Sequence, residues 1–146
     1  MQKVFNLKTP RELKLAARAL LAQKPKVIAL SGPLGAGKTV LTQAIAEFLG
    51  IKQVPTSPTF VIEQIYQVPG LKKYRFLVHV DCYRLKSKNE IPALDLEYWL
   101  NQNHTLVIIE WAEKIKVWLK KFQPLWVRID LRPRGRRIYF NNRAPV

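Results

Sequence analysis

Gly32-Pro33-Leu34-Gly35-Ala36-Gly37-Lys38-Thr39 is the stretch whose reading decides the fold. It matches the pattern G-x-x-x-x-G-K-[ST], in which glycines let a loop turn tightly enough to aim main-chain N–H groups at a phosphate chain. Within that pattern Lys38 brings positive charge to the β- and γ-phosphate oxygens, and the Thr39 hydroxyl is a ligand for Mg2+. The flanks agree. Val27-Ile28-Ala29-Leu30 is a continuous apolar run, as a strand buried on both faces requires. Val40, Leu41, Ala44, Ile45, Phe48 and Leu49 then recur at helical spacing, and Gly50 supplies a stop. A strand, a glycine loop and a helix N-terminus hold phosphate through free amides and the helix dipole. Gly32, Pro33, Leu34, Gly35, Ala36, Gly37, Lys38 and Thr39 are therefore the candidate nucleotide-binding residues.

The 146 residues suffice for one domain with a real core, and 48% of them are hydrophobic. A net charge of +15, from 25 Lys and Arg against 10 Asp and Glu, favours anionic partners without choosing among them. Ten basic residues fall after Ala112: Lys114, Lys116, Lys120, Lys121, Arg128, Arg132, Arg134, Arg136, Arg137 and Arg143. Two readings fit this cluster, a solvated face and a docking surface for a polyanion. Trp126, Tyr139 and Phe140 interleave with it, which strand alternation explains equally well. The single cysteine, Cys82, forms no internal disulfide and suits a reducing cytoplasm. Residues 1–10 lack the apolar core of a signal peptide, and no run approaches the roughly 18 apolar residues of a membrane span. The expectation is a cytoplasmic protein that does not enter membranes.

The remaining elements follow from periodicity. Thr9-Pro10-Arg11-Glu12 has capping-box spacing with proline at the first helical position, and Leu13, Ala16, Ala17, Leu20 and Leu21 form a buried stripe after it. Phe60 to Val68 and Lys73 to Asp81 read as a hairpin around Pro69-Gly70. Glu90 to Gln102 carries a weak helical signal, and Ile115, Trp118, Leu119 and Phe122 make a short amphipathic helix. Leu125, Val127, Ile129 and Leu131 alternate with polar or aromatic neighbours, predicting a half-exposed strand that turns at Arg134-Gly135 into a partner over 137–142. The fold class is α/β, one P-loop NTPase-like domain over 1–146. Its mixed sheet has a parallel centre and antiparallel edge hairpins, flanked by helices.

Ligands of open α/β sheets bind at the carboxyl ends of the strands, where two acids stand. Glu110 ends Leu106-Val107-Ile108-Ile109-Glu110, the layout of a segment that holds magnesium beside a phosphate loop. Asp81 ends Leu77-Val78-His79-Val80-Asp81, from which a carboxylate can orient or deprotonate a water, or help hold the metal. Sequence does not divide these roles between the two. His79 shares a strand face with Asp81, as a histidine packed and bonded in the sheet or as a catalytic group. Cys82 and two separated histidines offer no zinc site of ordinary spacing.

Four pieces in order, SGPLGAGKT, Ser57-Pro58-Thr59-Phe60, His79-Val80-Asp81-Cys82-Tyr83-Arg84-Leu85 and Ile109-Glu110-Trp111, resemble the TsaE (YjeE) family over nearly the whole chain. The resemblance implies a P-loop ATPase of tRNA threonylcarbamoyladenosine (t6A) synthesis, using ATP/ADP and Mg2+ and working with TsaB- and TsaD-like partners. That assembly transfers a threonylcarbamoyl group to an adenosine beside the anticodon, and the ATPase subunit supports its turnover without being the transferase. Carried onto this chain, Lys38 and Asp81 serve hydrolysis, and Thr39 and Glu110 hold the metal. Ser57 and Thr59 face the γ-phosphate, and Trp111 packs beside the nucleotide. Pro33 departs from the family's usual acidic residue, which removes a negative charge beside the phosphates. The basic C-terminal region, unusual for the family, offers a contact for tRNA. The alternatives are a nucleotide-gated RNA- or protein-binding module and a small-molecule kinase, for whose lid and acceptor pocket 146 residues leave little room.

Overall fold

In a computed structural model, residues 2–55, 63–70 and 73–142 are described. Among the described residues seven strands form one sheet in the order β1-β7-β6-β2-β5-β4-β3, comprising β1 (Lys3–Leu7), β2 (Val27–Ser31), β3 (Glu63–Gln67), β4 (Phe76–Asp81), β5 (Thr105–Glu110), β6 (Leu125–Leu131) and β7 (Arg136–Asn141). The four central strands β6, β2, β5 and β4 run parallel, while β3 and the β6–β7–β1 flank are antiparallel. The mixed sheet expected from sequence is present.

Two-sided burial explains the apolar runs. Every residue of β2 and β5 is buried. Ile28 and Leu30 point into one core with Leu13, Leu20, Leu41 and Ile45 of α1 (Leu13–Ala22) and α2 (Lys38–Phe48). Val27 and Ala29 point the other way, into a second core with Leu96 and Leu100 of α3 (Leu96–Leu100) and Leu119 of α4 (Lys116–Leu119). Truncating a central residue such as Leu30 to alanine leaves a cavity costing about 2–5 kcal/mol. Among the described residues no helix is long and apolar enough to cross a membrane.

Several elements differ from the sequence expectation. Residues 3–7 form a strand paired with β7, although only Leu7 of the five is buried. The first helix opens with a 3-10 turn at Pro10–Glu12, where the Thr9 N–H donates to the Glu12 carboxylate at 2.9 Å. Lys8 N–H donates to the same carboxylate, and these main-chain bonds hold Glu12 below its ordinary pKa. The Glu90 to Gln102 signal divides into a 3-10 segment, Lys88–Ala93, and α3, because Pro92 cannot continue an α-helical ladder. Ile115 to Phe122 alternates between 3-10 and α geometry instead of forming one amphipathic helix. The strand expected from Phe60 is described only as Glu63–Gln67, and residues 60–62 lie outside the described residues.

Candidate functional site

The parallel register brings the chemistry to one edge of the sheet. Leu30, one residue before the end of β2, lies opposite Glu110, and Asp81 at the end of β4 lies opposite Glu110 from the other side. The glycine loop leaves β2 at the same edge. Gly32 has φ +145°, and a Cβ there would sit 2.4 Å from the Ile129 carbonyl oxygen, so only glycine lets the loop cross β6 this closely. The loop runs into α2, whose first residues are Lys38 and Thr39.

Lys38 is buried at its place in the helix, 6% exposed. Its Nζ donates to the carbonyls of Gly32 at 2.6 Å and Pro33 at 2.9 Å, and lies 3.9 Å from the centre of the Trp111 ring. Burial pulls its pKa below the usual lysine value, against the opposing pull of Glu110, Glu113 and Asp81. Trp111 sits at φ +56°, which swings the chain off β5 and lays the indole over the lysine. Tyr83 packs against the indole with 5.0 Å between ring centres.

Glu110 is buried and accepts from two directions. Thr39 Oγ1 donates to it, at 2.9 Å from Oε1 and 3.2 Å from Oε2, and His79 Nε2 lies 2.8 Å from Oε2. A carboxylate facing Nε2 makes that nitrogen the donor. Nδ1 is buried with no hydrogen-bond partner among the described residues. Of the two sequence readings of His79, the geometry is that of a histidine packed in the sheet, where it orients Glu110. Asp81 is buried beside them, and its Oδ1 accepts the Tyr83 N–H at 2.9 Å.

Lys38, Thr39, Asp81, Glu110 and Trp111 thus line one cleft of about 230 Å³, with Leu34, Gly35 and Gly37 from the loop. Gly32 and Pro33 face a neighbouring groove on the other side of Trp111, and Ala36 is buried in the core beneath the loop. Ser57 and Thr59 lie outside the described residues. Two cleft residues, Val40 and Arg136, carried no signal as site residues. Arg136, counted in sequence among the basic cluster, lines the cleft from β7 and donates to the loop. A contact spanning a hundred residues leaves no local spacing to read.

The donor set suits a hard divalent cation. The Thr39 hydroxyl and the Glu110 carboxylate are adjacent oxygen donors that could hold Mg2+, an ion that takes one or two protein oxygens while water and phosphate fill the rest. Main-chain amides at the head of α2 and the Lys38 ammonium suit anionic oxygens.

A family profile described as Threonylcarbamoyl adenosine biosynthesis protein TsaE matches residues 7–138. A tRNA threonylcarbamoyladenosine biosynthesis protein TsaE from Streptomyces coelicolor is 43% identical over 96 residues, 65% of this chain and 62% of that protein. The protein of the same name from Rickettsia typhi is 42% identical over 117 residues, 77% of this chain and 76% of its own length. The one from Bacillus subtilis is 39% identical over 109 residues, 73% of this chain and 65% of its own length. The match therefore spans less than two thirds of the Streptomyces and Bacillus proteins. The crystal structure of Bacillus subtilis YdiB superposes with a TM-score of 0.73 at 31% identity, covering 96% of this chain and 84% of that one.

Proposed function

The chain belongs to the TsaE family of threonylcarbamoyl adenosine biosynthesis, and from that premise we propose that it binds and hydrolyses ATP as the ATPase component of the t6A machinery. In this reading it works in the cytoplasm and supports turnover of a TsaB/TsaD-like transferase complex. The observation that carries the reading is the Thr39–Glu110 hydrogen bond at the head of α2, beside the buried Lys38.

Each residue has a distinct part. The loop amides bind the phosphates. Lys38 exchanges its bonds to the Gly32 and Pro33 carbonyls for phosphate oxygens, coming out from under Trp111 as it does so. Thr39 and Glu110 hold Mg2+, which supplies charge neutralisation at the phosphate oxygens. His79 fixes the Glu110 carboxylate for that task. Asp81, its carboxylate held by the Tyr83 N–H, orients a water whose oxygen attacks the terminal phosphorus. The bond to the bridging oxygen breaks, and the water's proton leaves through Asp81 to solvent, giving ADP and phosphate.

The test is hydrolysis with and without TsaB- and TsaD-like proteins. Stimulation by the partners, abolished by Lys38→Ala, supports the reading; an unstimulated rate, or a Lys38→Ala protein as fast as wild type, rejects it.

One observation favours an additional contact with tRNA through the basic C-terminal region. Arg128 is half exposed on β6, and Arg132 donates to the Tyr139 hydroxyl at 2.9 Å on the adjoining strand. Asp130 offsets Arg128 at 2.8 Å, leaving Arg132, Arg134 and Arg137 as the net positive charge of this flank. Binding to tRNA that weakens with salt and with Arg132→Glu and Arg134→Glu supports the contact, and salt-independent binding excludes it.

A further inference from the structure

The nucleotide cleft contains a second cation that no motif announces. Arg136 opens β7, which is paired on both sides: Arg136 lies opposite Leu131 of β6 and Leu7 of β1. From that anchored position its Nε donates to the Ala36 carbonyl at 2.5 Å, and its Nη2 reaches the Gly35 carbonyl at 3.4 Å. The contact is close-packed, since a Cβ built on Gly37 would lie 3.3 Å from Arg136 Nε. The planar guanidinium reaches the two neighbouring carbonyls through two different nitrogens held in a fixed fork, whereas a lysine presents one rotatable ammonium.

The consequence follows from peptide geometry. No peptide in the described chain is cis, and in a trans peptide the C=O and the N–H point in opposite directions. Gripping the Ala36 carbonyl therefore turns the Gly37 N–H away from Arg136, and gripping the Gly35 carbonyl does the same to the Ala36 N–H. The Ala36 N–H is taken up within the loop by the Pro33 carbonyl at 3.1 Å. The Gly37 N–H begins the row of amides at the head of α2.

We propose that Arg136 is a positioning residue of the phosphate loop, which sets the direction of the Gly37 amide before a phosphate arrives and adds charge at the rim of the cleft. The proposal rests on the nucleotide reading above and extends it: the C-terminal hairpin is part of the nucleotide site, and Arg136 does not belong with the residues of a polyanion-docking surface.

The experiment compares wild type, Arg136→Met, which keeps an aliphatic stem, and Arg136→Lys, which keeps the charge. Three readouts are taken: ADP and ATP affinity by calorimetry, the NMR chemical shift of the Gly37 amide in the absence of nucleotide, and melting temperature. Charge-assisted bonds of this kind predict that Arg136→Met weakens nucleotide binding about tenfold or more, with Arg136→Lys in between. KM rises while kcat stays nearly level, because the amide meets ground state and transition state alike. The Gly37 amide resonance moves in Arg136→Met although melting is little changed. Affinity and a Gly37 resonance equal to wild type overturn the proposal. So does a loss shared equally by Arg136→Lys and matched by a fall in melting temperature, which assigns Arg136 to hairpin packing. If the wild type itself binds no nucleotide, the ATPase reading fails, and the resonance, which needs no ligand, still reports on the loop contact.

Discussion

Replacing Thr39 with valine removes one hydroxyl from the site while keeping side-chain volume, and its effects can be worked out from the geometry. The Thr39 Oγ1–H donates to both oxygens of Glu110, at 2.9 and 3.2 Å, and Glu110 is 1% exposed. Valine withdraws that donor from a buried carboxylate and leaves the His79 bond to Oε2 in place. A hydrogen bond to a buried charged group contributes about 1.5–3 kcal/mol. For a domain of this size that predicts melting lower by roughly 6 °C. The functional signature is more specific. On the proposed reading, wild-type protein should bind ADP more tightly when Mg2+ is present, because Thr39 and Glu110 would hold the ion against the phosphates. Thr39→Val loses that increment but keeps the metal-free affinity supplied by the loop amides and Lys38. Thr39→Ser, which retains the oxygen, recovers it. The assay is calorimetric titration of ADP with and without Mg2+, alongside thermal melting. A Thr39→Val protein with the full magnesium increment would refute the assignment of Thr39 and Glu110 as the metal ligands.

Three further outcomes are expected. Lys38 leaves the Trp111 ring on engaging phosphate, so nucleotide addition changes tryptophan fluorescence; a response that survives in Trp111→Phe would contradict the exchange. Gly135 has φ +88°, and a Cβ there would lie 1.8 Å from the Leu7 carbonyl oxygen. Gly135→Ala should therefore lower stability in urea by at least about 2 kcal/mol, from left-handed strain plus displacement of β1, and a wild-type midpoint would disprove it. Cys82 is buried, and burial pushes its thiol from 9.0 up to about 12. The folded chain then keeps a proton that the unfolded chain gives up, so this contribution is intact below pH 9 and is lost as pH rises from 9 towards 12. The thiol should also resist disulfide reagents at pH 8 until the protein unfolds, and rapid labelling of native protein would show otherwise.

How much of this was legible in sequence depended on how local its cause was. The glycine loop, β2 and α2 were readable because motif, apolar run and helical period lie within a single stretch of chain. Asp81 and Glu110 were readable as strand-end acids, and the parallel β4–β5 register brings them side by side. Their different surroundings were not readable, because the Thr39–Glu110 and His79–Glu110 bonds join residues 71 and 31 positions apart. Residues 3–7 escaped notice because an edge strand with four of its five residues not fully buried shows no apolar alternation. Arg136 looked like one more member of a basic cluster. Its role emerges only when β7 has been placed between β6 and β1, which aims it at the loop.

The central claim is tested most directly by titrating the folded full chain with ATP and ADP in the presence of Mg2+ and measuring the heat. The account predicts saturable one-to-one binding that Lys38→Ala loses while remaining folded. No heat of association in the wild type, or undiminished binding in Lys38→Ala, would contradict it.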